Sequence, residues 1–157
     1  MAAVMVLSVL VPVFSAAPVN GSHRDITVRY TFQPPAIRQT VIDGEVYDVV
    51  SMPEGASASR PGEPWLPARG AYILLPPGTT PAGITVTGTE VESLGTGYRV
   101  APMGAAMPLS QPTAVVPTEG PVYETDEPFP GRLYDVVGVQ SSRGYRVLIL
   151  RLYPVQY

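Results

Sequence analysis

Apolar and polar side chains alternate most regularly near the start of the chain, in residues 25–32. Ile26 and every second residue after it are apolar and share one face, while polar side chains fill the other. A period of two sustained over this length predicts a half-buried β-strand. Pro34 and Pro35 follow after Gln33 and predict the end of the strand.

Further short strands are predicted along the rest of the chain, separated by Gly- and Pro-rich turns. Asp43-Gly44 is a dipeptide that type I′ hairpin turns prefer, because both central residues need positive φ. The run AYILL, closed by Pro76-Pro77-Gly78, favours a strand buried on both faces. The predicted segments are residues 40–42, 45–50, 71–75, 84–91 with a bulge at Gly88, 98–101, 133–140 and 145–153.

The fold class follows from the number of short strands and the scarcity of helical spacing. Nineteen Pro and 15 Gly are scattered along the 157 residues and interrupt helices throughout. We therefore predict an all-β fold, a two-sheet antiparallel sandwich of the jelly-roll or Greek-key kind with Pro-rich loops. Residues 102–121 carry five Pro and little periodicity, which predicts an irregular crossing segment.

The final predicted strand, YRVLILRLY, is apolar on both faces. A strand with one face in water normally alternates apolar and polar residues. One face must join the core, so the other needs a cover. Either the Pro-rich segment folds back across it or a partner domain does, and the pattern favours the partner.

The N-terminus carries an apolar run from Val4 to Phe14, the length expected of a signal-peptide core and too short for a membrane span. Small residues at Ser15 and Ala17 give a cleavage site. We expect a signal peptide at residues 1–17, a linker at 18–24 and one domain at 25–157, exported and without a membrane span once the signal is removed. The alternative to a signal peptide is that the apolar run forms a buried strand.

The inventory of reactive side chains argues against catalysis. The chain has no Cys, and its single His, His23, lies in the predicted linker. A thiol nucleophile with its base and a Ser–His pair are both excluded. All ten basic residues are Arg, dispersed in a chain of net charge -3, so nucleic acid is not an expected partner. We therefore expect that the chain itself is not an enzyme and binds no cofactor.

Four carboxylates lie close together in the sequence, at Glu119, Glu124, Asp126 and Glu127. Oxygen ligands of this kind suit Ca²⁺. Their spacing matches no calcium loop, and a solvated acidic loop is the favoured interpretation.

The string GEPWLPARGAYILLPPG carries the only Trp of the chain. Pro64 and Pro67 favour extended geometry in the residues before them. The segment is therefore predicted to bring Trp65 and Leu66 into the core as a plug at one end of the sandwich. Its motif residues are Gly62, Pro64, Trp65, Leu66 and Pro67.

This motif resembles the pro-region of gingipain-type secreted cysteine peptidases. DGEVY before it and the terminal YPVQY fit the same family, so that the resemblance spans most of the chain. The resemblance implies a β-rich domain that precedes a caspase-like catalytic domain with a Cys–His dyad. Such a domain blocks the active-site cleft until it is cut away, and it assists folding.

On this interpretation the chain is a fragment, and its partner is a caspase-like cysteine peptidase domain downstream in the same precursor. The resemblance also implies a basic side chain in the specificity pocket of Arg-specific members. The candidates for inhibitory or cleavage loops are Arg60, Arg132 and Arg143, each in a predicted turn.

A free-standing extracellular β-sandwich module for adhesion or ligand binding is the alternative. Nine Tyr are present, and aromatic side chains exposed on one face would favour it.

Overall fold

The computed structural model describes residues 3–13, 24–53, 55–107 and 116–157. Within them the chain is built from β-strands, with one 3₁₀ turn at Pro121–Glu124. The strands are β1 (Ala3–Val13), β2 (Arg24–Tyr30), β3 (Ala36–Ile42), β4 (Glu45–Ser51), β5 (Ala56–Ser57), β6 (Pro67–Leu75), β7 (Thr85–Ser93), β8 (Tyr134–Ser142), β9 (Tyr145–Leu152) and β10 (Val155–Gln156). The predicted all-β class is confirmed.

All pairings between these strands are antiparallel and form three sheets. In the first sheet β1 pairs with β2, β7 and β10. The second has the order β5-β6-β9-β8, and β3 with β4 makes a separate hairpin. β9 is therefore an inner strand of the second sheet.

The core lies between the first two sheets. Leu148, Leu150 and Leu152 project from β9 into it, together with Ala71, Ile73 and Leu75 from β6. Side chains of β2 and β7, including Ile26 and Val86, pack against this cluster from the opposite side. The two sheets thus face each other across one apolar layer, as the sandwich prediction requires. A smaller cluster at one end contains Val50, Leu66, Val100 and Val155.

The local turn signals are confirmed. Asp43 and Gly44 join β3 to β4 with φ of 51° and 84°, and Arg143 and Gly144 join β8 to β9 with φ of 49° and 83°. Both turns place two residues at positive φ, as type I′ hairpins need. The predicted bulge is also present, because the register of β1 against β7 shifts between Glu90 and Gly88.

Two strand predictions were wrong. Residues 71–75 are not buried on both faces: Ala71, Ile73 and Leu75 are buried, but Tyr72 and Leu74 face outwards. Residues 98–101 form no strand, although they are extended. The amide of Asp48 donates to Arg99 O at 2.7 Å and that of Ala101 to Asp48 O at 2.8 Å, which ties this segment to β4.

The backbone of residues 3–13, predicted as part of a signal peptide, forms β1 between β2 and β7. The cleavage site at Ser15 to Ala17 and His23 lie outside the described residues, as do residues 108–115 of the Pro-rich segment. Removal of the leader stays a prediction. No helix within the described ranges is long and apolar enough to cross a membrane.

Candidate partner-binding site

The outer face of the second sheet is apolar. Tyr72 lies opposite Ile149, and Leu74 opposite Val147, in the register of β6 against β9. Tyr145 continues the same side of β9, since alternate residues of a strand point the same way. We call these five residues the apolar face: Tyr72, Leu74, Tyr145, Val147 and Ile149.

The apolar face is open to solvent. Tyr72 is 68% exposed, Leu74 58% and Tyr145 63%. The ring of Tyr72 leans over Gly70, where an added Cβ would lie only 3.1 Å from Tyr72 Cε2. Of the Pro-rich segment, Met103 and Gly104 line a different cleft, beside Trp65. An exposed apolar surface of this kind marks an interaction site, so the described residues favour a partner as the cover.

A polar cavity of about 240 Å³ lies at one end of this face. Three arginines line it, Arg60, Arg132 and Arg151, together with the carboxylates of Glu63 and Asp135. Leu66, Phe129 and Tyr153 complete its apolar walls. We call this cavity the arginine pocket. It brings together Arg60 and Arg132, two of the three arginines predicted as site residues.

Asp135 is the most heavily engaged carboxylate of the arginine pocket. It accepts from Arg132 Nε at 2.6 Å and from Arg132 Nη2 at 3.1 Å. The hydroxyl of Tyr153 donates to the same carboxylate at 2.6 Å. Desolvation by burial acts to raise the pKa of Asp135, but the Tyr153 and Arg132 hydrogen bonds outweigh it and hold that pKa below its usual value.

This depressed pKa predicts a pH-dependent contribution to stability. The contribution is complete above the unfolded pKa of 3.8 and is lost as the pH falls through the lower folded pKa. We expect Asp135→Asn to lower the free energy of unfolding at pH 7, with the difference from the parent shrinking between about pH 4 and pH 2. Urea unfolding across this range measures it. A difference that stays constant with pH would contradict the assignment.

Trp65 is not the buried plug that the sequence predicted. Its side chain is 42% exposed, whereas Leu66 is 4% exposed. The backbone is extended here, with Trp65 N donating to Ala101 O at 2.8 Å, so neighbouring side chains point to opposite sides. Leu66 enters the smaller core cluster, and Trp65 lines a separate apolar cleft of about 400 Å³ beside Ile42 and Met103.

Sequence reasoning missed Arg99, which clamps three segments of the chain. Its Nη1 lies 2.9 Å from Glu45 Oε2, its Nε lies 2.7 Å from Glu119 Oε1, and its guanidinium stacks 4.4 Å above the Tyr47 ring. Hydrogen bonds to the two carboxylates raise the pKa of Arg99. Its partners lie far away in the sequence, and nothing local in the sequence indicates them.

The predicted acidic group does not assemble into a metal site in the structure. Glu119 is paired with Arg99, and no three potential metal ligands cluster anywhere in the described ranges. The third predicted arginine, Arg143, lies at the tip of the β8–β9 turn, away from the other two. Arg151 was also missed. Its signal in the sequence was an Arg on the otherwise apolar outward face of β9.

Comparison with known proteins matches a family model described as Propeptide_C25 over residues 17–157. Two solved structures share the fold at a TM-score of 0.58 each. One is a complex of the pro- and mature domains of RgpB from Porphyromonas gingivalis, at 18% identity over 94% of this chain and 73% of that one. The other is a structure from work on the zymogenic latency of gingipain K from the same organism, at 23% identity over 82% of this chain and 73% of that one. A search of curated proteins finds no match.

Proposed function

This chain belongs to the Propeptide_C25 family, and we propose on that basis that it is the N-terminal pro-domain of a secreted gingipain-like cysteine endopeptidase. It keeps the zymogen latent by occluding the active-site cleft and assists the folding of the peptidase domain. The observation that carries the proposal is the family match over residues 17–157. The catalytic dyad belongs to the partner, since this chain contains no Cys.

Export of the precursor belongs to the same proposal. The family match begins at residue 17, where the predicted leader ends. Removal of residues 1–17 would leave the sequence of the family match almost complete, but it would also remove β1, the strand with which β2, β7 and β10 pair.

The apolar face supplies the docking surface in this proposal. Stable complexes of ordinary size bury about 800 Å² on each partner and place aromatic and aliphatic side chains at the centre. Tyr72, Leu74 and Tyr145 are exposed side chains of this kind on a rigid, hydrogen-bonded sheet. A peptidase domain docked there would cover the apolar side chains that the described part of the chain leaves exposed.

A free-standing adhesion or ligand-binding module is the second candidate. The observation in its favour is that Tyr72 and Tyr145 are both exposed on the same face of one sheet, where their rings offer a platform for a flat ligand. The family match favours the pro-domain. Binding of glycans without binding to any cognate peptidase would favour the module.

Titration of the purified chain into the mature cognate peptidase tests the proposal. We expect dose-dependent slowing of peptide hydrolysis. The dissociation constant should lie well below micromolar, because an interface of about 1,600 Å² in total supports tight inhibition. Heat-denatured chain is the control. Absence of binding at micromolar concentration would refute the proposed function.

A further inference from the structure

We propose that the arginine pocket is a carboxylate-binding site that receives one Asp or Glu side chain of the peptidase domain. The inference rests on the proposed function, because it names the contact that the docked partner makes at the end of the apolar face. The side chains that bind the carboxylate are Arg60 and Arg151.

The charges inside the pocket leave these two arginines available. Both oxygens of Asp135 are occupied by Arg132 and Tyr153. Glu63 Oε2 accepts the backbone amide of Arg60 at 2.6 Å. Within the described ranges the guanidiniums of Arg60 and Arg151 make no hydrogen bond or close ion pair. Arg151 has only a longer-range electrostatic interaction with Asp135.

The balance of charge favours an anion. Three Arg and two carboxylates line the pocket, so it carries one net positive charge, in a chain whose formal net charge is -3. A guanidinium offers planar, paired donors that match a carboxylate. Leu66 and Phe129 line part of the pocket. A docked peptidase domain would exclude water from it, and an ion pair is stronger where water is excluded.

The position of the pocket indicates that the carboxylate belongs to a protein. Arg151 follows Ile149 by two residues on β9 and therefore points to the same side of the sheet. It also lies opposite Asp135 on β8. A single surface thus runs from Tyr145 through Ile149 to the pocket. An apolar centre with a charge pair at its edge is the usual anatomy of a protein interface, where the pair fixes orientation.

The test compares binding of the chain and its variants to the mature cognate peptidase by titration calorimetry. We expect Arg60→Gln together with Arg151→Gln to weaken binding on the order of 10- to 100-fold, as truncation of a desolvated charge pair does. Arg38→Gln removes an equal charge at an exposed position of β3, in the separate hairpin, and should leave binding unchanged. Thermal unfolding of each variant establishes that it is folded.

Three results have distinct meanings. If the unmodified chain does not bind, the proposed function fails. If it binds and the double variant binds equally well, the carboxylate site is refuted while the proposed function stands. If the double variant binds weakly, Asp→Asn and Glu→Gln substitutions across the peptidase surface should identify the partner carboxylate. One of them should weaken binding of the unmodified chain by the same factor and cause no further loss of affinity when combined with the double variant. If every such substitution and the double variant weaken binding by independent, additive free energies, the inference is overturned.

Discussion

Leu150→Ala is expected to lower the free energy of unfolding by about 3–5 kcal/mol, because it opens a cavity at the centre of the core. Leu150 is fully buried on β9, where it lies opposite Ala71 of β6 and Val136 of β8. Small neighbours such as Ala71 cannot fill the lost volume. Since domains are stable by only about 5–15 kcal/mol, this one change removes a large part of the total. Urea unfolding measures it.

Leu74→Ala is the matched control for this prediction. It makes the same chemical change on the adjacent strand β6, at a side chain that is 58% exposed, and is expected to cost less than about 1 kcal/mol. Equal losses for the two variants would contradict the division of the β6–β9 sheet into a core face and an apolar face.

Leu74→Asp is expected to weaken binding to the peptidase domain on the order of 100-fold while leaving the chain folded. The carboxylate stays hydrated in the free chain, because Leu74 lies at the surface. Docking on the apolar face would desolvate it without a partner, and buried unpaired charges are costly. Inhibition constants measured with a peptide substrate report the change.

Val41→Asp provides the comparison, since Val41 is another exposed apolar residue but lies on β3 in the separate hairpin. It should leave inhibition within about twofold of the parent, as surface changes outside an interface do. If both aspartate variants inhibit like the parent, the peptidase does not dock on the apolar face. If Val41→Asp alone weakens inhibition, the docking surface lies on the hairpin.

Those parts of the fold that depend on neighbouring residues could be predicted from the sequence. The turns at Asp43-Gly44 and Arg143-Gly144 need positive φ, and the sequence places a turn-forming pair at each. The exposure of Leu74 could not be predicted, because a continuous apolar run has the same pattern whether its second face meets another sheet or a partner. Trp65 was wrongly placed for a related reason: in an extended segment only one of two adjacent apolar residues enters the core, and Leu66 does so.

The candidate site was predictable only in part. Arg60 and Arg132 were selected because each lies in a turn, but their meeting in one pocket depends on the pairing of β6, β9 and β8. Arg151 and Asp135 come together through the same register. Such contacts between distant parts of the chain have no local signature, and the same is true of the clamp around Arg99.

In the proposed function this pro-domain occludes the active-site cleft of its peptidase. The most direct measurement is the rate at which a peptide-based alkylating reagent labels the catalytic thiol of the mature enzyme, with and without the chain. Occlusion predicts that labelling slows in proportion to the fraction of enzyme bound and recovers when the chain is cleaved. A saturating complex in which the thiol is labelled at the rate of the free enzyme would contradict the claim.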